Sequence, residues 1–102
     1  MIAPKADAPT GDVRKAKLKE ENRLSKRGIE LEKEISRLEG EIGKVEATFA
    51  DGDALASMSQ DDLRQLGERQ RSLQAELEAA LEEWTETGER RQELRELLGL
   101  GA

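Results

Sequence analysis

Apolar residues recur along this chain at alternating steps of four and three residues, in two runs separated by a short polar break. The first run extends from Leu24 to Phe49 and the second from Leu63 to Leu98. A mean step of about 3.5 residues is typical of the contact line of a supercoiled helix and differs from the two-residue alternation of a strand. The pattern therefore predicts an all-α fold, a two-helix antiparallel coiled-coil hairpin.

Breaks in the pattern divide the chain into five segments. Pro4 and Pro9 lie among small residues near the start and predict a flexible N-terminal linker. Asp51-Gly52 is a strong turn pair, and Ser59 is suited to cap the helix that follows. The predicted segments are a linker at 1–12, a helix at 13–50, a turn at 51–59, a helix at 60–98 and a C-terminal tail at 99–102.

The heptad pattern also predicts which residues of the two helices face each other. An antiparallel hairpin brings together residues whose numbers add to about 112, given the core positions of both runs. Glu21 and Arg91 then meet at charged core positions. Trp84 falls opposite Gly28, whose missing side chain it is expected to fill, although an indole is also able to stack on a nucleobase.

Gln70 is the polar exception in the core line of the second helix. A single buried amide often sets the register of a coiled coil, and this role is expected for Gln70. A role in recognition is the alternative.

The composition narrows the classes of function. Charged residues make up 39% of the chain and aromatic residues 2%, which suits a narrow contact line between helices better than a globular core. Cys and His are absent, which excludes thiolate sites, His-ligated metals and Ser-His-Asp triads. A two-helix hairpin has no concave pocket, so we expect no enzyme activity, no catalytic residues, no cofactor and no metal site.

Hydropathy indicates no membrane partner. No stretch approaches the ~18 consecutive apolar residues of a membrane-spanning helix, and the N-terminus lacks the basic and apolar regions of a signal peptide. The absence of Cys fits a reducing compartment. A cytoplasmic location is therefore expected.

Positive charge is concentrated at the start of the first helix. The chain has a net charge of −6, yet residues 13–27 hold seven basic and two acidic side chains. Such a density of cations is able to follow a phosphate backbone without reading bases. The candidate nucleic-acid-binding residues are Arg14, Lys15, Lys17, Lys19, Arg23, Lys26 and Arg27.

These cations have an alternative interpretation within the fold. The hairpin brings an acidic part of the second helix to the same end of the molecule, where surface ion pairs each contribute roughly 0–1 kcal/mol. The carboxylates expected to pair with the basic stretch are Glu82, Glu83, Glu86, Glu89, Glu93 and Glu96.

The arrangement resembles a known family. The segment LQAELEAALEEW from Leu73 to Trp84, and LEKEI from Leu31 to Ile35 followed by Phe49-Ala50-Asp51, carry the resemblance. They are similar to the C-terminal coiled-coil domain of ABC-F ATPases of the Uup type, over roughly residues 14–95 of this chain. The resemblance implies that the upstream ATP-binding cassettes of a parent protein are partners and supply the ATPase activity.

The same resemblance implies a function in nucleic-acid binding. Non-specific contact with DNA, or with ribosomal RNA, would involve the basic residues of 13–27, with Arg90, Arg91 and Arg95 nearby. The alternative is a protein-interaction or oligomerisation coiled coil with no nucleic-acid role, which exposed apolar side chains outside the core would favour. Candidates for such side chains are Ile29, Leu81 and Leu97. The sequence leaves open the choice between DNA and RNA, and whether two hairpins associate weakly.

Overall fold

A computed structural model describes residues 11–100. Helix α1 (Gly11–Ala50) and helix α3 (Gln60–Leu98) pack against each other, and the short helix α2 (Gly52–Ala56) lies in the connection between them. The prediction of an all-α antiparallel hairpin is confirmed. Helix α1 begins at Gly11, two residues before the expected start. The rest of the predicted linker, 1–10, and the end of the predicted tail, 101–102, lie outside the described residues.

A single row of apolar side chains holds α1 and α3 together. The d positions of α1, from Leu24 to Val45, are all buried, and the largest fully buried side chains are Leu31, Leu38 and Leu94. Ile35 and Leu77 pack against this row while keeping part of their surface exposed. Because this row is the contact line between α1 and α3 in the described part of the chain, each long α-helix of about 60 Å depends on it for its stability.

Capping residues define the start of α2 and both ends of α3. The Asp51 carboxylate accepts hydrogen bonds from the backbone amides of Asp53 and Ala54, each at 3.1 Å. The Ser59 hydroxyl accepts one from the backbone amide of Asp62 at 3.1 Å, as expected for the cap of α3. Helix α3 ends at Gly99, whose φ of 71° is left-handed.

The register of the hairpin agrees with the prediction. Arg91 donates through Nη2 to Oε1 of Glu21 at 2.9 Å, which is the pair of charged core positions expected from the heptads. Further along, Arg14 donates through Nη1 to the backbone carbonyl of Leu98 at 3.1 Å. The numbers of both pairs add to 112.

The expected packing of Trp84 against Gly28 is wrong. Trp84 is 43% exposed, and a side-chain carbon placed on Gly28 would meet no atom within 4 Å. The indole Nε1–H instead donates to Oε1 of Glu32 at 3.4 Å, across the surface of the hairpin. An indole N–H needs an acceptor, and this carboxylate supplies one only at the surface. A groove of about 320 Å³ therefore remains beside Gly28 and Trp84.

The role of Gln70 in setting the register stays a prediction. Its side chain is half-buried, and within residues 11–100 its amide makes no hydrogen bond.

No helix in the described part of the chain is both long and apolar enough to cross a membrane.

Candidate nucleic-acid interface

Arginines of α3 pair with glutamates of α1 near the open end of the hairpin. Arg90 donates through Nε and Nη2 to the two carboxylate oxygens of Glu20, at 2.9 and 3.1 Å. Glu21 accepts from Arg91, and Nη1 of Arg95 lies 3.6 Å from the same oxygen. The three arginines expected to assist nucleic-acid binding are therefore engaged in holding α3 against α1.

The interpretation of the basic stretch as an internal pairing surface holds at one position. Arg27 donates through Nε and Nη2 to Glu83 at 2.6 and 2.8 Å, a bidentate geometry. Within the described residues, none of the other five carboxylates expected to pair with residues 13–27 does so. Among these five, Glu93 pairs instead with Arg90 of its own helix at 3.1 Å, and Glu96 accepts from Gln92.

The bidentate pairs shift the pKa values of their members. The hydrogen bonds from Arg90 lower the pKa of Glu20 below its ordinary value of 4.5, and those from Arg27 do the same for Glu83. The pKa values of Arg27 and Arg90 are raised in turn, since each cation is stabilised by its carboxylate partner. Both pairs are therefore fully charged at neutral pH.

We expect the contribution of these pairs to disappear in acid. A carboxylate whose pKa is lowered by folding stabilises the fold above its unfolded pKa, and this stabilisation is lost as the pH falls through the folded pKa. A variant with Arg27→Gln and Arg90→Gln should have a lower Tm than the parent at pH 7. This difference should shrink once the pH falls below 4.5 and the glutamates become protonated.

Thermal unfolding followed by circular dichroism between pH 7 and pH 2 would measure this difference. The control carries Arg64→Gln and Arg71→Gln, which also remove two positive charges. Neither of these arginines forms an ion pair with α1 within the described residues, since Arg64 pairs with Asp61 of its own helix. A Tm difference for Arg27→Gln and Arg90→Gln that stays constant across this range would contradict the assignment.

The remaining basic side chains of residues 13–27 fall into two groups. Arg14 is bound to the end of α3 through Leu98, and Lys17 occupies a d position, where it is half-buried. The other four are exposed and make no ion pair within the described residues. We call this set the basal patch, which consists of Lys15, Lys19, Arg23 and Lys26.

The basal patch lies on the side of α1 that faces away from α3. Its four residues occupy heptad positions b, c and f, while the buried leucines occupy d. From Lys15 to Lys26 the patch extends for about 17 Å along the helix axis. The spacing therefore gathers four cations on one exposed face, in reach of successive phosphates of one nucleic-acid strand.

The described residues hold no group of three or more side chains able to ligate a metal ion. A shallow depression of about 490 Å³ lies beside Trp84 on α3. Three of its lining residues are the carboxylates Glu89, Glu93 and Glu96, so it would repel a phosphate.

Two long antiparallel helices joined by a short turn define this protein as a coiled-coil hairpin domain. The family model of the ABC transporter C-terminal domain matches residues 15–89, and the chain belongs to this family. It is therefore an accessory domain of an ABC protein. Searches of curated proteins and of solved structures found no match to this chain.

Proposed function

We propose that this chain is a non-enzymatic nucleic-acid-binding accessory domain of an ABC-F ATPase of the Uup type. It contacts the phosphate backbone of DNA, or of ribosomal RNA, through the basal patch, in the cytoplasm. The ATP-binding cassettes of the parent protein are its covalent partners and carry the ATPase activity. The observation that supports the proposal most directly is the exposure of the four patch cations, none of which forms an ion pair within residues 11–100.

The patch has little role in stabilising the fold. The cations that stabilise the hairpin are recognisable by their partners, as Arg27, Arg90 and Arg91 are. Exposed side chains outside such networks usually contribute within about 0.5 kcal/mol to stability. The patch is therefore available to a polyanion, and release of counterions from that polyanion would drive binding.

Titration of the domain against fluorescent duplex DNA and structured RNA at several salt concentrations tests this function. Each phosphate contact adds about 0.9 to the slope of log K against log salt for duplex DNA. A variant with Lys19→Gln and Arg23→Gln should lower that slope by about 2 and weaken binding roughly tenfold or more.

The matched control removes two cations from the opposite side of the hairpin, Arg64→Gln and Arg71→Gln. It should bind as the parent does, because both residues lie on the outer face of α3. Circular dichroism would verify that both variants keep the parent's helicity. Absence of binding to either nucleic acid at low salt would overturn the proposal.

A second candidate function is that of a protein-interaction coiled coil. Ile29, Leu81 and Leu97 are exposed as this alternative requires, and Trp84 is exposed as well. Sedimentation velocity over a wide concentration range would reveal association of two hairpins. Concentration-dependent association together with no nucleic-acid binding at low salt would favour this second function.

A further inference from the structure

Basic side chains continue along the outer face of α1 well beyond residue 27. We define this outer face as heptad positions b, c and f from Lys15 to Lys44, which point away from α3. Its seven cations are Lys15, Lys19, Arg23, Lys26, Lys33, Arg37 and Lys44. All seven are exposed, and none makes an ion pair within the described residues. The row is about 44 Å long at the rise of an α-helix.

Acidic side chains of α1 occupy different heptad positions. Glu20 and Glu41 occupy position g, beside the contact line, where they bind Arg90 and Arg69 of α3. Between Lys15 and Lys44 the outer face holds one carboxylate, Glu30, which lies 4.0 Å from Arg27. Charge on α1 is thus sorted by position: acidic residues flank the contact with α3, and basic residues face the solvent.

The outer face of α3 has the opposite character. Arg64 and Arg71 are its basic members and lie near the turn. Its exposed carboxylates are Asp61, Glu68, Glu78, Glu82, Glu86, Glu89, Glu93 and Glu96. Because the outer faces of two paired helices point in opposite directions, a polyanion attracted to α1 would be repelled from α3. The hairpin therefore presents the α1 side to a nucleic acid. A strand wrapped around the whole hairpin would be repelled by the carboxylates of α3.

We infer that a nucleic-acid duplex lies lengthwise along the outer face of α1, so that Lys33, Arg37 and Lys44 contact phosphates together with the basal patch. The inference rests on the proposed function and extends its site to most of α1. A row of about 44 Å matches roughly 13 base pairs of duplex at 3.4 Å per phosphate.

The side chains on this face favour a duplex over a single strand. Proteins that hold single strands stack the bases on aromatic side chains. The outer face of α1 has no aromatic residue, since Phe49 packs against the core and Trp84 lies on α3. A duplex needs no such platform, because its bases are already stacked, and a straight row of cations suits its straight axis.

Loss of the distal cations tests the lengthwise arrangement. A variant with Lys33→Gln and Arg37→Gln should lower the salt slope by about 2 and weaken duplex binding roughly tenfold. The matched control is again Arg64→Gln with Arg71→Gln, for which the slope should stay at the parent value. DNA and RNA duplexes of 8, 13 and 18 base pairs are the probes, with the corresponding single strands alongside.

A gain of binding provides a test that unfolding cannot mimic. Glu30→Gln removes the carboxylate that interrupts the row, and should tighten duplex binding by about two- to fivefold at low salt. Arg27 keeps its bidentate pair with Glu83 in this variant. Affinity should also rise from 8 to 13 base pairs and then level off once duplex length matches the row, whether DNA, RNA or both bind.

The outcomes separate the inference from the proposed function. Binding that is lost with Lys19→Gln and Arg23→Gln, yet is unaffected by Lys33→Gln and Arg37→Gln, would overturn the lengthwise arrangement and leave the proposed function intact. Single strands that bind more tightly than duplexes would also overturn the inference. Failure of every probe to bind at low salt would overturn both.

Discussion

Replacing Leu38 by alanine is expected to lower the free energy of unfolding by about 3–4 kcal/mol, the typical cost for a fully buried leucine. Leu38 is completely shielded from solvent and belongs to the cluster of buried residues that includes Ile42 and Leu73. Among residues 11–100, α1 and α3 share one contact line, and no second layer of structure is able to close the resulting cavity. A loss of this size is a large part of the 5–15 kcal/mol that stabilises a typical domain.

Urea unfolding followed by far-ultraviolet circular dichroism would measure this loss. The control is Ile29→Ala, which also truncates a branched aliphatic side chain of α1, but one that is 53% exposed. It should change the free energy of unfolding by less than about 0.5 kcal/mol. Equal losses for the two variants would contradict the assignment of Leu38 to the core.

The second large effect concerns the charged pair at the core positions. Replacing Arg91 by leucine is expected to destabilise the hairpin by about 1–3 kcal/mol, because Glu21 would keep its buried charge without its nearest partner. The Glu21 side chain is only 8% exposed. Arg95, whose Nη1 lies 3.6 Å from Glu21, would compensate in part.

Replacing both members should reverse most of this loss. A double variant with Glu21→Leu and Arg91→Leu extends the apolar row and leaves no buried charge, so its stability should return to within about 1 kcal/mol of the parent or exceed it. Urea unfolding of the two single variants and the double variant forms a double-mutant cycle. Strictly additive losses would contradict a direct interaction between the two side chains.

The candidate site was only partly predictable from the sequence. The net charge summed over consecutive residues is strongly positive for 13–27. It is not positive beyond residue 27, because Glu32, Glu34 and Glu39 cancel the charge of the cations that follow. Heptad positions would have separated Lys33 and Arg37 from those carboxylates, since the two sets lie on different faces of one helix. Averaging along the chain loses the direction in which each side chain points, and binding depends on this direction.

The tertiary structure also decided which basic side chains are left to bind a polyanion. Arg27 and Lys26 are neighbours with the same charge in the sequence, yet Arg27 binds Glu83 whereas Lys26 has no ion-pair partner in residues 11–100. A position beside the contact line brings a side chain within reach of the other helix, and the next position does not. The exposure of Trp84 likewise depends on the surface acceptor that Glu32 provides across the hairpin.

The sequence by itself determined the two helices, their antiparallel pairing, the cap at Ser59 and the meeting of Glu21 with Arg91. These features depend on local propensity and on a repeat that one helix imposes on its partner, and both can be read from residue spacing. Only the tertiary structure decided which cations are paired, how far the unpaired row extends and where Trp84 lies. Those features depend on distances of a few ångströms between side chains of different helices, which spacing along the chain does not define.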